Sequence, residues 1–500
     1  MRKLTYILAL AASASALAQP PADTPSRWLD YSLLKRNVAT SRYDNPALMK
    51  DRYDASLTTI DASWLFDSQD KARIMEEGDG SNRAAIRAEA YIKKGANDIW
   101  GNAGYSIGQR RNVGLNESAD YELIYPYVTA DLVGGDLHEE NYQFSGGFAH
   151  KLKGGVTLGA TAGYEALLAY RTIDPRPRNL TSDLDFAVGM SWRWLAVALK
   201  AGKYKQTNVV KFYNETSQPT VYHATGLGTD YYRFRGTNTD SYYNGRNFGA
   251  QVDAAFSSAK VTDYGVHAAY DRFSFDKIIS SLNELPMASA TEQRFSAGAH
   301  ALVGVAPAHS IAVEVNAMRL RRDGNENIFG EAENNIYPEI ASLTMFRRTL
   351  SEGNVRVAYE YLRGRMRLQP SVTAGYASDR WRYTEPERLM KAESATVGAG
   401  ITASVMIKRV LLTASAAFDA RLCTSSAWSH PAESQSALTA SAESQYALMA
   451  NDETRFRASL RADYGIKPRL GIFCRIAYAA DSYAAGINAD NYAATIGFVF

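Results

Sequence analysis

Two groups of charged side chains, one near each end of the sequence, have types and spacings that could line a polar passage. In residues 83–93 and 455–464 the charged positions alternate with apolar ones, so each group falls on one face of an extended strand. The first group is Arg87, Glu89 and Lys93, and the second is Arg455, Arg457, Arg461 and Asp463. Because both signs of charge occur, the rows can form cross-strand ion pairs and argue against a strong preference for anions or cations. We expect a solvated, salt-bridged wall rather than a selectivity ring.

Recognisable catalytic and metal-binding patterns are absent from the sequence. The seven histidines are scattered, and His138-Glu139-Glu140 does not form an H-E-x-x-H zinc helix. Cys423, in an expected loop, and Cys474, on the apolar face of a strand, make no disulfide framework, and whether they pair stays open. The net charge of +2 argues against a nucleic-acid partner. We therefore predict a protein that is not an enzyme and has no metal, cofactor or nucleic-acid partner.

The first residues have the pattern of a cleaved secretory signal peptide. Arg2 and Lys3 precede an apolar run over 6–12, and a small-residue site ends at Ala18. The run is too short for a spanning helix, which needs about 20 residues. We expect residues 1–18 to be removed, with cleavage after Ala18. Any structure that crosses a membrane should then be built from strands, because lipid admits only helices and closed barrels.

Segments with alternating polarity recur along the rest of the chain. Besides the two charged segments, they include residues 247–256, 262–270, 293–305, 396–405 and 491–500. A strand of about 10 residues with one apolar face is long enough to cross a bilayer. The pattern predicts an all-β fold: a single transmembrane antiparallel β-barrel over residues 53–500, with about 18 strands and a range of about 16 to 20.

The links between the predicted strands differ in length, as expected for short periplasmic turns and longer extracellular loops. The tight links are residues 93–97, 151–155, 257–260, 407–409 and 465–468. The longer links are residues 109–120, 171–182, 205–246, 273–291 and 321–335. The strand count is irregular at 421–453, where two further strands are expected. A tandem repeat, AESQSALTA at 432–440 and AESQYALMA at 442–450, is the candidate for them.

The segment NYAATIGFVF, residues 491–500, has one wholly apolar face. That face consists of Tyr492, Ala494, Ile496, Phe498 and Phe500. A final aromatic residue with apolar residues at alternate positions before it resembles the signal read by the outer-membrane barrel assembly machinery. An apolar edge strand can be captured by strand addition before a barrel closes. The resemblance implies a bacterial outer-membrane location, with the lipid bilayer and the assembly machinery as partners.

Residues 19–52 are not strand-like, and they could be a disordered leader, a plug in the lumen or a periplasmic docking arm. Within them, Asn45, Pro46 and Ala47 resemble a motif of FadL-like channels for long-chain hydrophobic compounds and of several Bacteroidetes outer-membrane barrels. An ordinary Asn-Pro turn is the alternative. Over its whole length the chain resembles uncharacterised outer-membrane β-barrel families of Bacteroidetes, which implies a location but no cargo.

The longest link, residues 205–246, is rich in tyrosine. Its tyrosines include Tyr213, Tyr222, Tyr231, Tyr232, Tyr242 and Tyr243. Aromatic faces and hydroxyls could bind glycans or other surface ligands, and a loop of this length could also fold inward and constrict the pore. The alternative is that these tyrosines belong to two strand extensions above the membrane.

Three functions remain open from the sequence. The leading hypothesis is a channel for a small solute across the outer membrane. The first alternative is a plugged barrel that acts as a surface scaffold or as an accessory subunit of a transport or secretion complex. The second is a FadL-like carrier of hydrophobic compounds. An open lumen would favour the channel, and a filled lumen would favour the plugged barrel.

Overall fold

The computed structural model describes residues 24–50, 52–214, 216, 219–236, 240–257, 263–334, 336–431 and 436–500. Eighteen strands of this part of the chain form one antiparallel sheet. Each strand pairs with its neighbour in the chain, and the first pairs with the last, with Ser63 opposite Thr495. The sheet is therefore a closed barrel without free edges. The predicted all-β antiparallel barrel of about 18 strands is confirmed. The predicted signal peptide, residues 1–18, lies outside the described residues.

Strands β1 to β9 are Leu57–Gln69, Gly80–Lys94, Asn97–Val113, Gly135–Lys151, Val156–Tyr170, Arg176–Trp192, Leu195–Lys211, Ser241–Phe256 and Asp263–Ile279. Strands β10 to β18 are Leu285–Ala306, His309–Phe329, Glu339–Arg363, Met366–Tyr383, Arg388–Ile407, Val410–Ser429, Glu453–Lys467, Leu470–Tyr483 and Ile487–Val499. They contain between 13 and 25 residues. About 10 residues suffice to cross a bilayer, so the longer strands extend beyond it.

Short helices and a small sheet accompany the barrel in the described part of the chain. The α-helices are α1 Thr24–Tyr31, α2 Leu34–Asn37, α3 Tyr121–Ile124 and α4 Ala437–Ala450. The 3₁₀-helices are Thr40–Asp44, Pro46–Met49, Met75–Glu77, Lys153–Gly155, Tyr232–Phe234 and Ser280–Leu282. The small sheet consists of Thr129–Ala130, Tyr222–Gly226 and Thr229–Asp230. Among the described residues, no helix combines the length and the apolar character needed to cross a membrane.

The outer face of the barrel is apolar. Large side chains at alternate strand positions, such as Ile86, Phe144, Leu199 and Ile496, are exposed there. In water so many exposed apolar groups would be unfavourable, whereas a lipid-facing band of a barrel requires them. The opposite face of each strand points into the lumen. The alternation seen in the sequence is thus the alternation between lipid and lumen.

The two ends of the barrel differ. The links at 94–97, 151–156, 407–410 and 467–470 are tight and lie at one end, which we call the short-turn end. The links at 113–135, 211–241 and 429–453 lie at the other, the long-loop end. The prediction of a long loop at 273–291 was wrong, because β9 continues to Ile279 and β10 begins at Leu285. Strands β9 and β10 stay paired up to Ile279 and Leu285, beyond the part of the barrel that crosses the bilayer.

The expectation of two further strands in 421–453 was also wrong. Strand β15 runs to Ser429, α4 follows, and β16 returns directly, so no extra pair is needed. The described part of the tandem repeat is helical because its Ala, Leu, Met, Gln and Glu residues favour a helix. In addition, the Ser436 side chain caps the helix by accepting a hydrogen bond from the Thr439 amide.

Both cysteines are free in the structure. Cys423 lies within β15 rather than in the expected loop, because the strand continues to Ser429. Cys474 lies on β17 and is exposed on the outer face of the barrel, as the sequence pattern predicts.

Candidate functional site in the barrel lumen

Residues 24–50 and 52–56, which we call the floor, lie across the lumen at the short-turn end. Backbone amides of the floor donate to carboxylates on the inner wall, from Leu34 to Glu360 at 3.0 Å and from Ala39 to Glu314 at 2.7 Å. On the other side of the barrel the Tyr91 hydroxyl donates to the Met49 carbonyl at 3.0 Å. The floor is thus attached to widely separated strands of the wall.

The Asn45-Pro46-Ala47 segment is the most deeply buried part of the floor, and Asn45 has no exposed surface. The Asn45 side chain accepts a hydrogen bond from the Ala47 amide at 3.0 Å and begins the 3₁₀-helix Pro46–Met49. Two wall glycines make room for it. A Cβ on Gly159 would lie 2.4 Å from the Pro46 carbonyl carbon, and a Cβ on Gly189 would lie closer still to the Asn45 side-chain oxygen. The turn therefore docks against bare backbone of β5 and β6.

Charged groups attach a further part of the floor to the wall. Arg42 pairs with Asp263 at 2.7 Å and lies 3.3 Å from the His300 ring nitrogen Nε2. Burial raises the pKa of the Tyr31 hydroxyl, which donates to the Ala55 carbonyl and so remains a donor at neutral pH. The floor has the packing of a folded element rather than of a loose leader.

Three chain segments, residues 114–134, 220–236 and 437–450, form a second obstruction at the long-loop end, which we call the cap. Buried side chains of the wall bind its backbone carbonyls. Tyr243 donates to Tyr127 at 2.8 Å, and Lys277 donates to Val128 at 3.0 Å. Both side chains are fully buried. The largest hydrophobic cluster of the described residues lies here, inside the upper barrel.

A buried ion triad fixes the first cap segment. The Arg171 guanidinium lies 3.1 Å from both Glu117 and Asp131, and none of the three side chains is more than 1% exposed. Burial, and next the hydrogen bond and charge of Asp131, raises the pKa of Glu117 well above its usual range. Two carboxyl groups share one cation here, so the cation is essential to the arrangement.

Helix α4, which is one segment of the cap, is also held by a buried carboxyl group outside the cap, that of Glu76. The Ser441 hydroxyl donates to Glu76 at 2.7 Å. Burial raises the pKa of Glu76 to about 6, although the Ser441 hydrogen bond acts in the opposite direction. This contact joins the loop after β1 to the segment after β15.

Between these elements the lumen contains a chamber. It comprises two adjoining cavities of about 1070 and 540 Å³. Both are lined by Leu65, Arg83, Arg475, Ala477 and Ala493, and floor residues border both. The chamber therefore lies along the seam where the first and last strands meet. The volume of the smaller cavity lies within the range of small-molecule sites, about 300 to 1,000 Å³, and that of the larger lies at its upper limit.

The seven charged residues singled out in the sequence all lie on the inward-facing side of β2 and β16, and most are paired. Arg87 binds Glu89 at 3.2 Å, and Arg461 binds Asp463 at 2.8 Å. Arg455 binds Asp481 at 2.6 Å, Arg457 pairs with Asp419, and Lys93 donates to the Tyr53 carbonyl at 3.2 Å. Sequence reasoning did not single out Arg83 and Arg475, although the alternation in 470–483 places Arg475 on the lumen side.

The six tyrosines of the 205–246 region have different environments. Tyr213 and Tyr232 are exposed, and Tyr222 is half-buried. Tyr231 donates to the Asn327 carbonyl, and Tyr242 donates to Glu284. Tyr243 is fully buried and binds the cap, so its assignment as a surface ligand contact is wrong. It lies on β8, whose inward positions meet the cap core.

The alternate apolar residues of the final segment face outward. Tyr492, Ile496 and Phe498 are exposed on the lipid side together with Ala494. The backbone of Phe500 continues the pairing, since its amide donates to Thr58 at 2.8 Å. Their role as an assembly signal stays a prediction.

Within the described ranges, no three His, Cys, Asp or Glu side chains are arranged to hold a metal ion. The polar groups that converge in the lumen are arginines, carboxylates and hydroxyls. Such a set can bind and orient a polar solute by hydrogen bonds and charge.

The family described as "Family of unknown function (DUF6850)" matches residues 46–500. No curated protein matches the chain. Several solved structures resemble it in part. The alcaligin outer-membrane receptor FauA from Bordetella pertussis is 9% identical with a TM-score of 0.37, covering 87% of this chain and 75% of that one.

The ferric preacinetobactin receptor BauA from Acinetobacter baumannii is 9% identical with a TM-score of 0.39, covering 89% of this chain and 79% of that one. The copper transporter OprC is 9% identical with a TM-score of 0.43, covering 89% and 80%. These similarities are too low to bear on what the chain binds or transports.

Proposed function

This chain belongs to a family of unknown function (DUF6850), and from its geometry we propose that it is a gated transport barrel of the bacterial outer membrane. The observation that carries the proposal is a chamber with charged side chains in its lining, inside a barrel whose two ends are occupied by folded segments of the same chain. In this proposal the short-turn end faces the periplasm, and the solute passes when the floor and the cap move.

The same observation weighs against a permanently open channel, because the floor and the cap obstruct the lumen at its two ends. It also weighs against a carrier of hydrophobic compounds, since arginines such as Arg83, Arg87 and Arg461 line the chamber. Covering charged side chains with an apolar ligand removes them from water, which is unfavourable, so a lumen of this kind suits a polar solute.

Single-channel conductance in planar bilayers tests the proposal. A floor-release variant carries Glu314→Ala and Glu360→Ala, which remove two acceptors of floor amides. A cap-release variant carries Arg171→Met, and a third protein combines all three changes. Glu352→Ala is the matched control, because Glu352 lies on the same face of β12 as Glu360 and makes no ion pair or hydrogen bond in the described part of the chain.

We expect the natural protein and the control to be silent and the combined variant to conduct steadily. Silence of the combined variant, with heat-modifiable migration showing a folded barrel, would contradict gated transport. It would instead favour the second candidate, a plugged barrel that serves as a scaffold or accessory subunit. The tight packing of the cap around Tyr127 and Phe346, both fully buried, is the observation that supports that candidate.

A further inference from the structure

The chamber contains one arginine whose charge is not satisfied by the protein. Arg475 lies on β17, is exposed to the chamber and lines both of its cavities. In the described part of the chain it makes no ion pair, hydrogen bond or aromatic contact. Each other arginine on the chamber wall has an acidic partner or a ring to stack on, which makes Arg475 the exception.

The residue opposite Arg475 on β16 is a second arginine, so no carboxylate lies opposite it there. Arg461 is directly opposite it in the β16–β17 pairing, and like charges in opposed positions repel. The Arg461 guanidinium is held 3.6 Å from the Trp28 ring centre and 3.8 Å from that of Phe473. Asp463 is already engaged by Arg461 at 2.8 Å. An anion beside Arg475 would relieve the repulsion.

The wall next to Arg475 leaves space for such a group. Thr495 on β18 lies opposite Arg475, and Ser63 on β1 lies opposite Thr495. In the next row of inward-facing residues, Ala477 lies opposite Ala493. These side chains are small. Arg83 lies on β2, beyond the contact of β1 with β18, and is opposite Leu65. It lines both cavities. The recess is thus lined by small, uncharged side chains with an arginine on each side, and Asp61, two residues from Ser63 on β1, also lines the larger cavity.

We infer that this recess binds a small organic anion, with its carboxylate or phosphate oxygens on Arg475. Arginine suits both groups because its planar fork of N–H donors matches their paired oxygens. The apolar part of the ligand would lie over Leu65 and toward the aromatic floor residues Trp28 and Tyr53, which line the same cavity. The inference deepens the proposed function by giving the chemical class of its solute.

The inference is tested by the binding of inorganic phosphate, which is measured as broadening of its ³¹P line. The measurement uses the folded full-length protein and the combined release variant. Arg475→Met removes the charge and keeps the length, and Arg475→Lys keeps the charge without the fork. Arg365→Met is the control, because Arg365 is an exposed residue of the β12–β13 turn outside both cavities. Competition by phenyl phosphate and by benzoate then distinguishes a phosphate ligand from a carboxylate ligand.

We expect broadening with the natural sequence, an affinity at least about 10-fold weaker in Arg475→Met, an intermediate value in Arg475→Lys and no change in Arg365→Met. Equal binding by Arg475→Met, or no binding by either the full-length protein or the combined variant, would overturn the inference. The two proposals fail separately. Phosphate binding through Arg475 in an electrically silent variant would refute gated transport alone, and conductance without phosphate binding would refute the anion site alone.

Discussion

The backbone amide of Ala39 donates a hydrogen bond of 2.7 Å to a carboxylate oxygen of Glu314, 275 residues away in the chain. The second oxygen of Glu314 binds Arg356 on the next strand at 2.9 Å. One side chain thus joins the floor to two strands of the wall. The floor is held by hydrogen bonds to charged groups at its centre, rather than only by apolar packing.

Removing the two carboxylates that hold the floor should loosen it without unfolding the barrel. Each hydrogen bond to a charged group contributes about 1.5 to 3 kcal/mol, so we expect Glu314→Ala with Glu360→Ala to expose floor arginines such as Arg36 and Arg42 to trypsin. Limited proteolysis followed by mass spectrometry measures this. Glu352→Ala should keep the natural cleavage rate, and an unchanged rate in the double variant would contradict the anchoring role.

The close approach of Pro46 to Gly159 predicts a position-specific effect of alanine. Gly159→Ala would place a Cβ 2.4 Å from the Pro46 carbonyl carbon, so the Asn45–Ala47 turn must move, at a cost of about 1 to 3 kcal/mol. Hydrogen exchange at Ala47 and Leu48 should become faster. Gly163→Ala on the same strand has no neighbour closer than 3.8 Å and should leave exchange unchanged. Equal exchange in both variants would show that the turn docks elsewhere.

The triad of Arg171, Glu117 and Asp131 predicts that replacing Arg171 strongly destabilises the cap, and that replacing the two acidic residues as well restores its stability. Arg171→Met leaves two buried carboxyl groups without their cation, which should destabilise the first cap segment by about 3 to 5 kcal/mol. Hydrogen exchange over 114–134 reports on this segment. Adding Glu117→Gln and Asp131→Asn removes the unpaired charge and should restore most of the protection. A triple variant as labile as Arg171→Met would exclude an electrostatic cause.

The buried carboxyl of Glu76 predicts that helix α4 is held more firmly in mild acid. Its pKa is about 6 in the folded protein, raised from 4.5 by burial. The folded state therefore binds the proton more tightly, and the stabilisation is fully present below pH about 4.5 and is lost as the pH rises through about 6. The shift corresponds to about 2 kcal/mol at most.

The measurement is the hydrogen-exchange rate of residues 437–450 in the natural protein divided by the rate in Glu76→Gln at the same pH. This ratio removes the intrinsic pH dependence of exchange. We expect the ratio of the two rates to rise between pH 5 and pH 7, because only the natural protein gains a buried charge. Glu76→Gln still accepts the Ser441 hydrogen bond. A constant ratio would mean that Glu76 does not titrate in this range.

Much of the barrel was predictable because its signal is local. Strand β16 could be recognised from Phe456, Ala458 and Leu460 alternating with arginines, since lipid and lumen impose opposite polarity on successive residues. Helix α4 was missed because the up-and-down order led us to expect strands there. The Ser436 cap and the helix-forming composition after it were the signals that could have identified it.

The alternation of lipid-facing and lumen-facing side chains could be read directly from the order of the residues, and with it the antiparallel barrel and its approximate strand number. The folded barrel was needed to see that residues 24–50 and 52–56 lie across the lumen, that Tyr243 is buried under the cap, and that, within the described part of the chain, Arg475 alone among the chamber arginines lacks a partner. Alternation depends on neighbours along one strand. Floor docking, cap packing and ion pairing depend on residues that barrel closure brings together from distant parts of the chain.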